Sequence, residues 1–225
     1  MHAHTNPVSP CSEVTPDELA EIYSNEGYDA VVLANHYILD LPAFPGLDKQ
    51  EALDCYIKDY DEFEAACEKR GLKAILGCEI RFTENHNDYL IYGVDRDILS
   101  VAYDYFSKGI KAYRTEVKLD KSVFVQAHPF RNGISTAEPE LLDGVETFNM
   151  HPGHNSRVGI AAKFAKENGF AIKIAGTDFH HPNRNHEGVS ALRTKVLPKD
   201  SFELAEILKN GDYILEIGGD SLVLA

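Results

Sequence analysis

Asp29–His36 reads DAVVLANH, a nearly all-apolar run that stops at the polar pair Asn35-His36. A strand this uniformly apolar is expected where both faces are covered, as in a parallel sheet under helices. A polar pair at the C-terminal end of such a strand is where barrel enzymes carry their chemistry. The same punctuation recurs along the chain. Leu72–Ile80 (LKAILGCEI) carries Glu79 near its end, and Ser122–Ala127 (SVFVQA) runs straight into His128-Pro129-Phe130-Arg131. Gly144–Phe148 (GVETF) ends at Asn149 and the polar loop His151–Ser156, and Phe170–Gly176 ends in Thr177-Asp178-Phe179-His180-His181.

Helical patterns fill the intervals. Thr15-Pro16-Asp17-Glu18 is a helix start, with Thr15 as cap, Pro16 at the first helical position and Glu18 closing a capping box. Leu19, Ile22 and Tyr23 supply its buried stripe and Gly27 its end. Asp48–Arg70 reads as a long helix with Leu53, Tyr56, Ile57, Tyr60 and Phe63 inward, stopped by Gly71. Asp97–Leu119 reads as one or two helices broken near Gly109, and Arg157–Asn168 as an amphipathic helix. Asp88–Val94 follows Leu72–Ile80 after only a short polar link, which suggests a hairpin-like insertion. Tyr37–Gly46, with Pro42 and Pro45, reads as a loop. A strand over Val189–Val196, a helix over Ser201–Asn210 and a strand over Tyr213–Ile217 complete the chain. Strand-then-helix alternation without a repeat or linker predicts a single α/β domain over residues 1–225, a barrel or a distorted one.

Composition narrows the classes. The chain has 225 residues, 44% of them hydrophobic and 26% charged, which is ordinary for a soluble globular protein. It has neither a membrane-length apolar run nor a signal-type N-terminus, so a cytoplasmic location is expected and no membrane partner. A net charge of −14 argues against a nucleic-acid partner. The four cysteines show no Cys-x-x-Cys spacing and read as reduced thiols.

The other notable stretch is His2-Ala3-His4, two imidazoles on the same side of an extended segment, able to offer two nitrogens to one ion. Set beside His36, Glu79, His128, Asp178 and His180 at strand ends, it forms a ligand set suited to zinc, manganese or iron. Glu79 could bridge two ions, and ions at close spacing could hold a hydroxide and stabilise both oxygens of a phosphate displacement.

His2-Ala3-His4-Thr5, Ser9-Pro10-Cys11, Asn35-His36, Gly77-Cys78-Glu79, His128-Pro129-Phe130 and Gly176-Thr177-Asp178-Phe179-His180 resemble the ordered motifs of the PHP (polymerase and histidinol phosphatase) family. The resemblance runs from residue 2 to about residue 195. It implies a seven-stranded TIM-like barrel holding two or three divalent ions. By resemblance His2, His4, Glu79 and Asp178 would hold one ion, Glu79 and His128 a second, and His36 and His180 a third. Three departures stand out. The family usually has an aspartate where this chain has Asn35, which would suit a fading, regulatory metal-binding domain. Some members carry a histidine where this chain has Ser9–Ser12. The further ligand after Glu79 aligns with Asp88, with His86 as rival. The family pattern also opens with an aspartate that would precede Met1, so a chain extended at that end is expected to melt higher at equal metal load.

Arg131 and Arg157 are the candidates for gripping phosphate oxygens, since a guanidinium matches a phosphate fork and a helix start adds favourable dipole. His154 and His181 could protonate a leaving group; the role of Arg193 is open. The expected activity is hydrolysis of a small phosphorylated metabolite or nucleotide by a metal-bound hydroxide, with histidinol phosphatase or a weakly active regulatory domain as alternatives.

Overall fold

The computed structural model describes residues 1–39, 43–182, 190–218 and 221–224, the last four by backbone alone. Pro42 and the first residue of the strand expected over Val189–Val196 lie outside the described residues.

Helix α1 (Pro16–Asn25) begins as its capping box requires, with Thr15 Oγ1 accepting from Glu18 N and Glu18 Oε2 accepting from Thr15 N. Its buried Leu19 and Tyr23 pack on strand β1 (Ala30–Leu33). The chain then kinks at Ala34-Asn35 into a short β2 (His36–Tyr37). Helix α2 (Lys49–Glu68), capped by Asp48 and Glu51, buries Leu53, Tyr56 and Phe63 and also, against its apolar stripe, Asp59. The run expected as one strand from residue 72 to 80 is likewise split, into β3 (Lys73–Leu76) and β4 (Cys78–Arg81), at Gly77. A Cβ there would stand 2.6 Å from Val32 Cγ1, so only glycine lets the two kinked strands nest. The Tyr56 hydroxyl lies 2.9 Å from both Asn35 O and Gly77 O and pins both kinks.

Strand β5 (Asp88–Tyr92) pairs antiparallel with β4, as the short polar link suggested, and antiparallel with β6 (Val123–Gln126). Between β5 and β6 run α3 (Arg96–Tyr103) and α4 (Gly109–Glu116), the expected broken helix. β7 (Gly144–Asn149), α5 (Val158–Glu167) and β8 (Ile172–Gly176) continue the sheet in parallel. β9 (Ser190–Thr194), α6 (Ser201–Asn210), β10 (Tyr213–Ile217) and β11 (Ser221–Leu224) follow, their strands forming a separate antiparallel sheet.

The recorded pairing is therefore α/β with a mixed six-stranded sheet, β2-β4-β5-β6-β7-β8, and a parallel pair β1-β3. Among the described residues these ladders do not form a closed barrel. Ala3 makes isolated parallel bridges to both Leu33 and Phe179, so the first residues lie between β1 and the segment after β8. That placement brings the N-terminal histidines to the strand ends carrying the other candidates. One apolar cluster packs the sheet against α2, α3 and α4, and another packs it against α6. Among the described residues no helix is long and apolar enough to cross a membrane.

Candidate metal centre

The parallel register of β2 and β4 sets His36 opposite Glu79. Around Glu79, which is fully buried, four imidazoles gather. Oε2 faces His36 Nδ1 at 2.8 Å, His2 Nε2 at 3.4 Å and His4 Nε2 at 3.5 Å. Oε1 faces His128 Nε2 at 3.2 Å. Asp178 adds a second carboxylate, with Oδ1 3.2 Å from His4 Nε2, 3.4 Å from His180 Nδ1 and 3.6 Å from His2 Nε2. The seven residues expected as ligands thus stand in one cluster. The backbone is distorted to aim two of them: His128 has φ 28° and Asp178 φ 51°, in the left-handed region that non-glycine residues avoid.

Three groups of potential ligand atoms fall within 4.8 Å of one another: His2, His4 and Glu79; Glu79, Asp88 and His128; and His4, His36 and His180. Asp88, not His86, joins the second group: Asp88 is buried with Oδ2 3.8 Å from His128 Nε2, while His86 is exposed on the β4–β5 turn. Arg81 Nε donates to Asp88 Oδ1 at 2.7 Å, and Arg131 Nη2 donates at 3.1 Å to Oδ2, the oxygen that faces His128.

The hydrogen bonds behind the ring nitrogens decide which atoms face inward. Thr5 N donates to Asn35 Oδ1 at 2.7 Å, which fixes the amide orientation, and Asn35 Nδ2 donates to Asp59 Oδ2 at 2.7 Å. Ser9 Oγ gives its only proton to Asn35 Oδ1 at 2.8 Å, so at the 3.3 Å contact it accepts from His4 Nδ1. His4 Nε2 is thereby left with a free lone pair. His2 Nδ1 donates to Glu146 Oε1 at 2.9 Å and His180 Nδ1 to the Asp178 carbonyl at 2.8 Å, so Nε2 is the ring atom that each has left for an ion. His2 Nε2, His4 Nε2, His36 Nδ1 and Glu79 Oε2 are all buried without a hydrogen-bond partner. A donor set of imidazole lone pairs and carboxylate oxygens, buried and unsatisfied, fits divalent cations.

The electrostatics are those of a charge cluster out of water. Burial works against the charged form of His2, but Glu146, Asp178 and Glu79 outweigh it and hold the ring well above its ordinary range. His4 goes the other way, lowered by burial and by His180 and His36. Burial likewise opposes ionisation of Glu79 and Asp178, yet the surrounding histidines, His2 foremost, hold both well below the usual carboxylate range. His36 rises to about 10, with the Glu79 carboxylate overcoming burial. Burial would raise the Cys11 thiol, but hydrogen bonds with His180 and His36 bring it to about 6.

A model of the PHP domain family matches residues 1–176. The chain belongs to the PHP family. Solved structures agree in fold. A two-domain protein of Bacteroides vulgatus containing a predicted PHP-like metal-dependent phosphoesterase superposes with a TM-score of 0.63 at 16% identity, covering 96% of this chain and 63% of that one. A protein of Bifidobacterium adolescentis provisionally described as a metal-dependent phosphoesterase gives a TM-score of 0.50 at 17% identity, covering 82% of this chain and 88% of that one. A search of curated proteins finds no match.

Within this PHP site the remaining expected residues are dispersed. Arg131 stands beside the Asp88–His128 end. Arg157, at the left-handed N-cap of α5, spends its guanidinium on Phe130 O and Asn132 Oδ1, and so ties down the loop that carries Arg131. His181 pairs with Glu13 at 3.2 Å, and its ring lies 6.0 Å from that of His180. His154 is closer in, with Nδ1 3.1 Å from Asp178 Oδ2 and its ring stacked on His151. Arg193 pairs with Glu216 on the separate β9–β10 ladder. A cavity of about 370 Å³ between Tyr28, Ile75 and Leu192 contains none of the clustered side chains.

Sequence reasoning missed Glu146, Asn149 and Asp59. Glu146, buried in β7, accepts from His2 Nδ1, His128 N and Asn149 Nδ2; Asn149 Nδ2 also reaches Asp178 Oδ2. Asp59 restores behind Asn35 the carboxylate that position 35 lacks. The signals were a lone acid inside an apolar strand and another on the inward stripe of a helix, since buried charge is costly without a partner.

Proposed function

We propose that this PHP protein is a metal-dependent phosphoesterase acting on a small phosphorylated metabolite or nucleotide. The observation that carries the reading is the division of Glu79, one oxygen toward His2, His4 and His36 and the other toward His128, as a carboxylate shared by neighbouring ions is divided. In this reading His2, His4, Glu79 and Asp178 hold one ion, Glu79, Asp88 and His128 a second, and His36 with His180 a third, the ions being zinc, manganese or iron. We also read the ring of strand segments linked through Ala3 as the family's distorted barrel.

When bound, such ions supply Lewis acidity toward phosphoryl oxygens and lower the pKa of water. The chain's own groups do the rest. Arg131, one-quarter exposed beside Asp88, grips a phosphate oxygen. Arg157 positions the Arg131 loop. His154, paired with Asp178, gives a proton to the leaving oxygen; His181, drawn to Glu13, lies farther out. Asn35 favoured a fading regulatory domain on sequence grounds, but the Asp59 carboxylate behind it supports a maintained centre. No residue selects histidinol phosphate.

The test is a panel of phosphomonoesters, phosphodiesters and nucleotides assayed with added manganese or zinc. Turnover abolished by Glu79→Ala and by Asp178→Ala is expected. A folded, metal-loaded protein inert on the whole panel would replace the reading with that of a metal-binding module.

A further inference from the structure

We propose that the ion held by Glu79, Asp88 and His128 is recruited together with the substrate, because Arg131 opposes that ion until a phosphate lies between them. The inference rests on the reading of the cluster as a multi-ion centre and names a coupling within it. The β4–β5 register sets Asp88 opposite Arg81, whose Nε donates to Asp88 Oδ1 at 2.7 Å. The carboxylate is buried and anchored by that bond. Its other oxygen, Oδ2, accepts from Arg131 Nη2 at 3.1 Å and stands 3.8 Å from His128 Nε2. Glu79, Asp88 and His128 offer ligand atoms within 4.8 Å of one another, so an ion there draws on the carboxylate that now serves Arg131. Both cations lean on one negative charge.

The conflict is particular to this corner of the cluster. Among the described residues the ion-pair partners of Glu79 and Asp178 are all histidines. An imidazole yields to an ion by giving up its proton and becoming a ligand. A guanidinium stays charged and has no lone pair to offer. Arg131 is also placed to change partner: its Nε is buried without a hydrogen-bond partner, while a quarter of the side chain is exposed. The turn that bonds Arg131 N to His128 O at 2.9 Å keeps the guanidinium close to the ligand ring. A phosphate has several acceptor oxygens and can take the ion on one and the arginine fork on others. Bound so, it replaces the repulsion of two cations by the attraction of both to one anion. By linkage, the anion raises the ion's affinity by the same factor as the ion raises the anion's. This equivalent is the weakly held one in the resting protein, and it loads as substrate arrives.

Competition of chelator-treated protein against a chromophoric zinc chelator, with and without inorganic phosphate, tests the coupling. Without phosphate, Arg131→Gln should bind one zinc equivalent on the order of tenfold more tightly than the native chain, a coupling of ordinary size. Arg70→Gln, which removes the same charge from the α1–α2 surface, should bind as the native chain does. Phosphate should tighten that equivalent in the native chain by a similar factor, and much less in Arg131→Gln. Arg131→Met should give the same readings if the glutamine protein does not fold. A variant that binds zinc no more tightly than the native chain without phosphate would make Arg131 a support of Asp88 and overturn the proposal. An equal effect of phosphate on both proteins overturns it too. Ions bound with neither difference leave the multi-ion reading standing without the coupling; both differences in a protein inert on every phosphoester leave the coupling standing without the activity. No ion bound at all removes both.

Discussion

Glu146→Gln separates the orientation of a proposed metal ligand, His2, from the ligand itself. The Oε2 atom of Glu146 receives two donors, His128 N at 2.8 Å and Asn149 Nδ2 at 2.9 Å, so the amide oxygen of a glutamine will settle there. Its NH2 group then faces His2 Nδ1, which now donates to Oε1 across 2.9 Å. Two donors cannot share that contact. The imidazole must move its proton to Nε2, the nitrogen facing Glu79 and Asp178, and a protonated Nε2 cannot ligate. The lost charge-assisted hydrogen bond is worth about 2 kcal/mol, roughly thirtyfold in affinity. That falls inside the 10–100-fold range seen when outer partners of metal-bound histidines are removed. Competition against a chromophoric zinc chelator, with ions counted per chain, should show one equivalent weakened and the others unchanged. Long-range nitrogen NMR of the zinc-loaded proteins should show the His2 proton on Nδ1 in the native chain and on Nε2 in the variant. A folded Glu146→Gln protein that binds every equivalent as tightly as the native chain would refute the reasoning.

Gly176→Ala should act through the same contact, because its Cβ would stand 2.3 Å from Glu146 Oε1 and 2.7 Å from His2 Cβ. A loss of about 1–3 kcal/mol in thermal or urea unfolding is expected, along with weakened metal binding; unchanged values for both would show that the rim yields freely. Asp59 gives a pH test: burial lifts its carboxyl to about 6 from an ordinary 3.8, although Thr5 and Asn35 donate to it. A raised folded-state value means stability fully present below about pH 4 and lost as pH rises through 6, on the order of 3 kcal/mol. Asp59→Asn removes that proton, so its melting temperature should gain on the native chain between pH 4 and 7, and a gap that does not vary with pH contradicts the assignment. Stripping the ions with a chelator should lower the melting temperature, since each ion at one hundred times its Kd adds about 2.7 kcal/mol; equal melting before and after would show that the cluster does not bind at working concentrations.

The candidate ligand positions were legible because they lie where an apolar run meets a polar residue, as at His36, His128 and Asp178. The long-range consequence, His2 meeting Glu79 and Asp178, followed once those runs were taken as strands ending on one rim. What could not be read was how the strands bend. DAVVLANH and LKAILGCEI look like single strands, but Gly77 and the Tyr56 hydroxyl kink both, a tertiary effect with no local signal. The antiparallel placement of β5 was hinted at by its short link, whereas the antiparallel β9–β10–β11 sheet carried no signature distinct from further parallel strands. Among the arginines, only geometry separates Arg131, at the cluster's edge, from Arg157, which ties the loop beside it.

β7 explains why the supporting residues escaped the sequence reading while their dependents did not. It contributes none of the seven expected ligands, yet Glu146 and Asn149 bond His2, His128 and Asp178, which come from three other segments. Two of those three dependents hold left-handed backbone that costs about 1–3 kcal/mol per non-glycine residue, and such strain persists only where neighbouring bonds over-determine it. For His128 the restraint is visible: its own N–H donates to the Glu146 carboxylate, so the acid that fixes the His2 tautomer also helps hold the turn that aims the His128 ring. A residue serving two ligands from inside a strand leaves no terminal motif, because its partners are set by sheet order, β6-β7-β8, and not by sequence spacing. Glu146 therefore supports two proposed ion sites without touching either ion, and Glu146→Gln, which spares the His128 contact and upsets that of His2, should prove more damaging than loss of the half-buried His181.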